Sequence, residues 1–97
     1  MNNFMLVGRL VSKPILEENS TTIILAVNRS FKNVDGVYET DFISINLLSS
    51  IAENTCEYCK KGDVIGVKGR IAGKDGKMSL IADRITFLSS KKENVEE

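Results

Sequence analysis

Ser50-Ile51-Ala52-Glu53-Asn54-Thr55-Cys56-Glu57-Tyr58-Cys59-Lys60-Lys61-Gly62 carries its apolar residues at helical spacing. Ile51, Ala52, Thr55, Cys56 and Cys59 fall on one helical face. Ser50 and Glu53 have the form of a capping box, in which a hydroxyl and a carboxylate three residues on satisfy amide donors at a helix start. Lys60 and Lys61 suit the negative end of the helix dipole, and Gly62 is a ready C-terminal cap. A short helix is therefore predicted to begin at Ser50.

On both sides of this segment the chain reads as strands. Upstream, Thr21 to Phe31 and Tyr38 to Leu48 flank a loop containing Asp35-Gly36, a pair that tolerates the positive φ of a tight turn. Downstream, Asp63 to Ala72 and Lys77 to Leu88 flank Asp75-Gly76 in the same way. A first strand, Phe4 to Val11, is closed by Pro14, and Gly8 within it suits a bend or bulge. The order is β-β-β-α-β-β. Five strands with one helix between the third and fourth is the chain order of the OB-fold, a small, partly open barrel. The predicted class is all-β: an OB-fold domain over residues 1–88 and a short polar tail over 89–97.

Composition narrows the function classes. A chain of 97 residues is one domain, able to bury about 60 to 70 % of its extended surface. Hydrophobic residues make up 42 %, which suits a globular core and not a disordered chain. No apolar run approaches the roughly 20 residues of a membrane-spanning helix, and Met1-Asn2-Asn3 lacks the basic flank of a signal peptide, so the expected location is cytoplasmic. With no histidine, the commonest general base and metal ligand is missing. Cys56-Glu57-Tyr58-Cys59 is a single C-x-x-C, too few ligands for a tetrahedral zinc site and better read as packing. Gly73-Lys74 and Gly76-Lys77 lack both the upstream glycine and the following Ser or Thr of a phosphate loop. No acid/base pair stands out. The reading is a non-enzymatic protein with neither metal nor cofactor.

Strand phases identify a candidate surface. In the third strand Ile43, Ile45 and Leu47 alternate with Phe42, Ser44, Asn46 and Leu48, so a core face backs onto one that mixes polar and large apolar residues. The fourth strand sets Ile65, Val67 and Ile71 against Lys68 and Arg70. In the fifth, Leu80 and Ala82 keep one phase and Ile85 and Phe87 the other, which predicts a bulge near Asp83 or Arg84. Phe31, Phe42 and Leu48 would form a platform, with Arg9, Arg29, Lys32, Lys68, Arg70, Lys74 and Lys77 near it. Stacking aromatics beside cations are what single-stranded nucleic acid needs. The alternative placement puts Phe31 and Phe42 at the barrel ends as core. Equal numbers of basic and acidic residues, 13 each, do not oppose an anionic ligand, because phosphates sense charges within a Debye length of about 8 to 10 Å.

Over roughly residues 1–88 the chain resembles the bacterial single-stranded DNA-binding protein family. The likeness is carried by Asn3-Phe4-Met5-Leu6-Val7-Gly8-Arg9-Leu10 with Lys13-Pro14, by Leu25-Ala26-Val27-Asn28-Arg29-Ser30-Phe31, and by Thr40-Asp41-Phe42-Ile43. Ile51-Ala52-Glu53-Asn54, Glu57-Tyr58-Cys59-Lys60-Lys61-Gly62-Asp63, Val67-Lys68-Gly69-Arg70-Ile71 and Ala82-Asp83-Arg84-Ile85-Thr86-Phe87-Leu88 continue it in order. The resemblance implies an OB-fold that assembles as a homotetramer and coats single-stranded DNA in replication, recombination and repair. It also implies base stacking at Phe31, Phe42 and Leu48, where the leucine departs from the family's aromatic. Two further departures are the short, non-aromatic loop Ala72 to Lys77 and the end Lys91 to Glu97. That end lacks the acidic, hydrophobic-tipped tail that recruits replication and repair proteins. These departures leave a second reading, an assembly module of a replication or recombination complex with weak or no DNA binding. A third is an RNA-binding barrel.

Overall fold

The computed structural model describes residues 1–18 and 20–90; the expected tail from Lys91 onward lies outside them. Five strands, β1 (Phe4–Leu10), β2 (Thr21–Lys32), β3 (Tyr38–Leu47), β4 (Val64–Lys74) and β5 (Lys77–Ser89), surround a core, and α1 (Ser49–Tyr58) joins β3 to β4. They close into a barrel in the order β1-β2-β3-β5-β4. Neighbours are antiparallel except β3 and β5, which run parallel through Asn46 opposite Ile81 and Leu47 opposite Ala82. The barrel, with its helix between the third and fourth strands, is the architecture expected of the OB-fold.

Alternation fills the interior. Ile23 and Leu25 from β2, Ile45 and Leu47 from β3, Ile65 and Val67 from β4 and Ala82 from β5 are buried, with Leu10, Ala52 and Cys59 completing the cluster. Each large aliphatic among them is worth about 1.5 to 3 kcal/mol of burial. Both hairpins turn where Asp-Gly pairs stand. Gly36 adopts φ 77°, and Asn33 braces the first turn by accepting from the amides of Asp35 (2.9 Å) and Val37 (3.0 Å). In the second, Asp75 (φ 54°) and Gly76 (φ 77°) both lie in the left-handed region, as a two-residue type I′ turn requires.

The fifth-strand bulge is present: Lys68 opposes Arg84 and Gly69 opposes Ala82, which leaves Asp83 as the extra residue. Other local expectations are corrected. Of the bend or bulge expected at Gly8, the bulge is absent, because the β1–β4 register runs unbroken through it; the glycine is needed instead for close approach to β2, where a Cβ would lie 2.5 Å from the Ala26 carbonyl oxygen. Ile71 is exposed rather than interior, because the β1–β4 ladder ends at Gly69 and β4 continues with β5 alone as a two-stranded arm. The capping box does not form. Leu48 donates its amide to the Ala82 carbonyl (3.1 Å), and its own carbonyl accepts from Ile51 and Ala52 (both 3.0 Å). The sheet thus fixes Leu48 as the N-cap and draws Ser50 inside the helix, which has no side-chain cap. At the other end the chain is extended at Cys59, so Lys60 and Lys61 lie past the helix. Gly62, at φ 91°, serves the following turn, in which Asp63 donates to the Lys60 carbonyl and accepts from the Lys60 amide.

Candidate nucleic-acid interface

The outer face of the β2–β3 hairpin is built from directly opposed pairs: Thr22 with Asn46, Ile24 with Ser44, Ala26 with Phe42 and Asn28 with Thr40. The polar pairs satisfy one another, Thr22 Oγ1 donating to Asn46 Oδ1 and Thr40 Oγ1 to Asn28 Oδ1, each at 2.8 Å. Between them the Phe42 ring stands with small neighbours. Phe42 is 68 % exposed and Phe31 67 %, which rules out the alternative that they cap the barrel as core. Leu48 is 42 % exposed at the junction of β3 and α1.

The register carries this face onto the other strands. Asn46 opposes Ile81, and Ile81 opposes Arg70, so Arg70 stands in a row with Thr22, Asn46 and Ile81 across four strands. Lys68 lies two residues before Arg70 in β4, between Met5 of β1 and Arg84 of β5. It borders an apolar groove of about 340 Å³ lined by Met5, Val7, Gly66, Thr86 and Leu88. Lys74 and Lys77 oppose each other at the tip of the β4–β5 arm. Among the described residues none of these four cations is in an ion pair.

Three expected phosphate partners are otherwise occupied. Arg9 donates from Nη1 to the Gly62 carbonyl at 2.7 Å and ties β1 to the turn before β4. The Lys32 ammonium lies 5.7 Å from the centre of the Tyr38 ring, a cross-strand cation–π contact. Arg29 departs furthest from expectation. Its guanidinium reaches Asp41 at 3.0 to 3.3 Å and Glu39 at 2.9 Å. The hydrogen bond from Arg29 holds the Asp41 carboxyl below the usual carboxylate range, and the same bond raises Arg29 in return. The cause lies in the pleat: Arg29 shares a face with Asp41 and Glu39, opposite to that of Phe42.

Reading from the chain missed Ile24, Tyr38 and Arg84. Ile24 has the same strand phase as Ala26, and Tyr38 that of Phe42, so alternation alone marks both for the outer face. The opposition of Arg84 to Lys68 depends on the bulge at Asp83. Cys56 and Cys59 are unbonded thiols. Burial pushes both upward, at Cys59 with help from Asp63. Among the described residues no group of three or more His, Cys, Asp or Glu is placed to hold a metal.

The chain matches the model of the Single-strand binding protein family over residues 1–87. It is 38 % identical to the single-stranded DNA-binding protein B of Bacillus subtilis, with 93 % of this chain and 92 % of that one covered. It is 34 % identical to the single-stranded DNA-binding protein 1 of Clostridium acetobutylicum, with 98 % and 100 % covered. A solved Plasmodium falciparum complex with single-stranded DNA shares the fold, with a TM-score of 0.74 at 20 % identity over 92 % of this chain and 96 % of that one. With the family model matched over residues 1–87 and both relatives covered along nine-tenths or more of their length, this chain belongs to the single-strand binding protein family.

Proposed function

We propose that this chain binds and protects single-stranded DNA, without enzymatic activity and with little sequence preference, in replication, recombination and repair. The observation that carries the reading is the exposure of Phe42 and Phe31 on the β2–β3 hairpin. Unstacked bases recover apolar contact on such rings at about 1 to 3 kcal/mol each, and every base has a face to offer. Phe31, Phe42 and Leu48 take the bases. Arg70, with Lys68, Lys74 and Lys77, meets phosphates, and Arg9 and Lys32 stand nearby.

The binding unit is residues 1–88, it works in the cytoplasm, and it assembles as a homotetramer. Two observations support assembly. The groove beside Met5, Val7 and Leu88 is apolar, and β1 pairs with β2 only at Arg9 and Leu10, so the edge from Phe4 to Gly8 is unpaired on that side. Light scattering at micromolar concentration is expected to give four times the chain mass; a monomer would remove this part.

The test of binding is titration of a labelled oligothymidine at several salt concentrations, with duplex DNA and a matched RNA strand as competitors. Saturable binding that favours the single DNA strand supports the reading. No saturable binding at low salt, or equal preference for duplex, would sink it. A preference for RNA would move it to the RNA-binding alternative.

A further inference from the structure

We propose that Arg29 is a positioning residue that sets Phe31 for stacking, and that it is not a phosphate ligand. The proposal rests on the reading of this hairpin as a DNA-binding surface. Its ground is an irregularity in the ladder. Asn28 opposes Thr40 and Lys32 opposes Tyr38, so three residues of β2, Arg29, Ser30 and Phe31, face one residue of β3, Glu39. A segment with that mismatch loses ladder hydrogen bonds, and many backbone conformations open to it. Phe31 sits in this segment with two-thirds of its surface exposed, so packing does little to hold it.

Glu39 restrains the segment from both ends. Its Oε1 accepts from Arg29 Nη1 at 2.9 Å, where the irregular stretch begins. Its Oε2 accepts from Asn33 Nδ2 at 2.9 Å, just beyond where the stretch ends. Asp41 anchors the remaining guanidinium nitrogens, which keeps the Arg29 fork in one orientation. Asn33 in turn accepts from the Asp35 and Val37 amides, so the brace runs on into the hairpin turn. Asp41, Arg29, Glu39 and Asn33 therefore form one connected strap across the segment that carries Phe31. A ring held in place before DNA arrives avoids the ordering cost that a loose one would bear on binding.

A phosphate role and a positioning role give opposite signs at Asp41. Were Arg29 a phosphate ligand, Asp41 would compete with the DNA, and Asp41→Asn would strengthen oligothymidine binding. In a strap, Asp41→Asn loosens Arg29 and weakens binding, by about three- to five-fold, a loss in proportion to what exposed charge networks contribute. Arg29→Met is expected to give a similar loss with an unchanged slope of log affinity against log salt. Loss of a phosphate contact would instead lower that slope by about 0.7. In a Phe31→Ala background the Arg29→Met effect is expected to vanish, since a truncated side chain has no orientation to set. Glu39→Gln serves as a second variant, and a thermal melt of each reports the fold.

Stronger binding by Asp41→Asn, a reduced slope for Arg29→Met, or full additivity with Phe31→Ala each overturns the proposal. Absence of saturable binding by the unaltered protein is a different failure: it removes the DNA-binding reading first, and the purpose of the strap with it.

Discussion

Ala26 lies directly across the β2–β3 ladder from Phe42, so one methyl group is all that its opposite neighbour sets beside the ring. A larger residue there would cover the face that a base needs. Phe42→Ala is expected to lower single-stranded DNA affinity about five- to hundred-fold, the equivalent of one stacked base. Stability should change little, within about 0.5 kcal/mol, because the ring is mostly outside the core. Titration and urea melts of the same variant separate the two effects. A large stability loss would show that the ring serves packing. Since the chain has no tryptophan, Phe42→Trp also supplies a fluorescence probe that should quench when DNA stacks on it.

Gly69 sits where β5 bulges at Asp83, and a Cβ there would run into the Ile81 carbonyl oxygen and come within 2.8 Å of Ala82 Cα. Both obstacles are backbone and cannot rotate away. Gly69→Ala should therefore cost about 1 to 3 kcal/mol in urea unfolding. Gly73→Ala, in the β4–β5 arm, is the control, since its Cβ would meet nothing closer than 3.7 Å. Equal stability of the two variants would mean that the bulge adjusts.

Alternation and turn chemistry made the barrel legible, because they are local: Ile43, Ile45 and Leu47 announce their face, and Asp35-Gly36 and Asp75-Gly76 their turns. The bulge at Asp83 was legible for the same reason, as a change of phase between Ala82 and Ile85. What the chain could not disclose are partners chosen by register. The fit of Ser50 to a capping box gave way because a rung from Leu48 to Ala82, distant in sequence, sets where the helix starts. Arg29 looked available to phosphate because its carboxylate neighbours lie on another strand. Only the pairing of β2 with β3 brings Asp41 and Glu39 to its side.

Acid should weaken the Arg29–Asp41 contact. The hydrogen bond from Arg29 lowers the folded-state pKa of Asp41, so this contribution is complete above the unfolded value of about 3.9 and disappears as pH falls through the depressed one. The melting temperatures of the unaltered protein and Arg29→Met are thus expected to differ by a constant amount above about pH 5 and to converge in stronger acid. A gap that stays constant to pH 2 would assign the difference to packing of the arginine stem.

The thiols should be sluggish, in a set order. Burial raises both, and Cys59 is buried while Cys56 is partly open, so at pH 8 iodoacetamide should label Cys56 first and Cys59 only as the domain opens. Mass spectrometry over time reads the order. Fast, equal labelling would mean that the C-terminal turn of α1 frays readily.

Lys74 and Lys77 oppose each other beside a turn whose first residue, Asp75, is acidic. If both lysines meet phosphates, replacing the pair with glutamine should lower the salt slope by about 1.4, at about 0.7 per single-strand phosphate. Phe42→Ala should leave that slope alone, because a stacked base releases no counterions. Asp75→Asn removes the one negative charge at the tip and should raise affinity at low salt, with the gain fading as salt screens it. It also places Asn-Gly in a type I′ turn, which favours that pair, so the hairpin should not weaken. A slope unmoved by the lysine pair would confine DNA to the barrel wall around Phe42 and Arg70 and exclude the β4–β5 arm from its path.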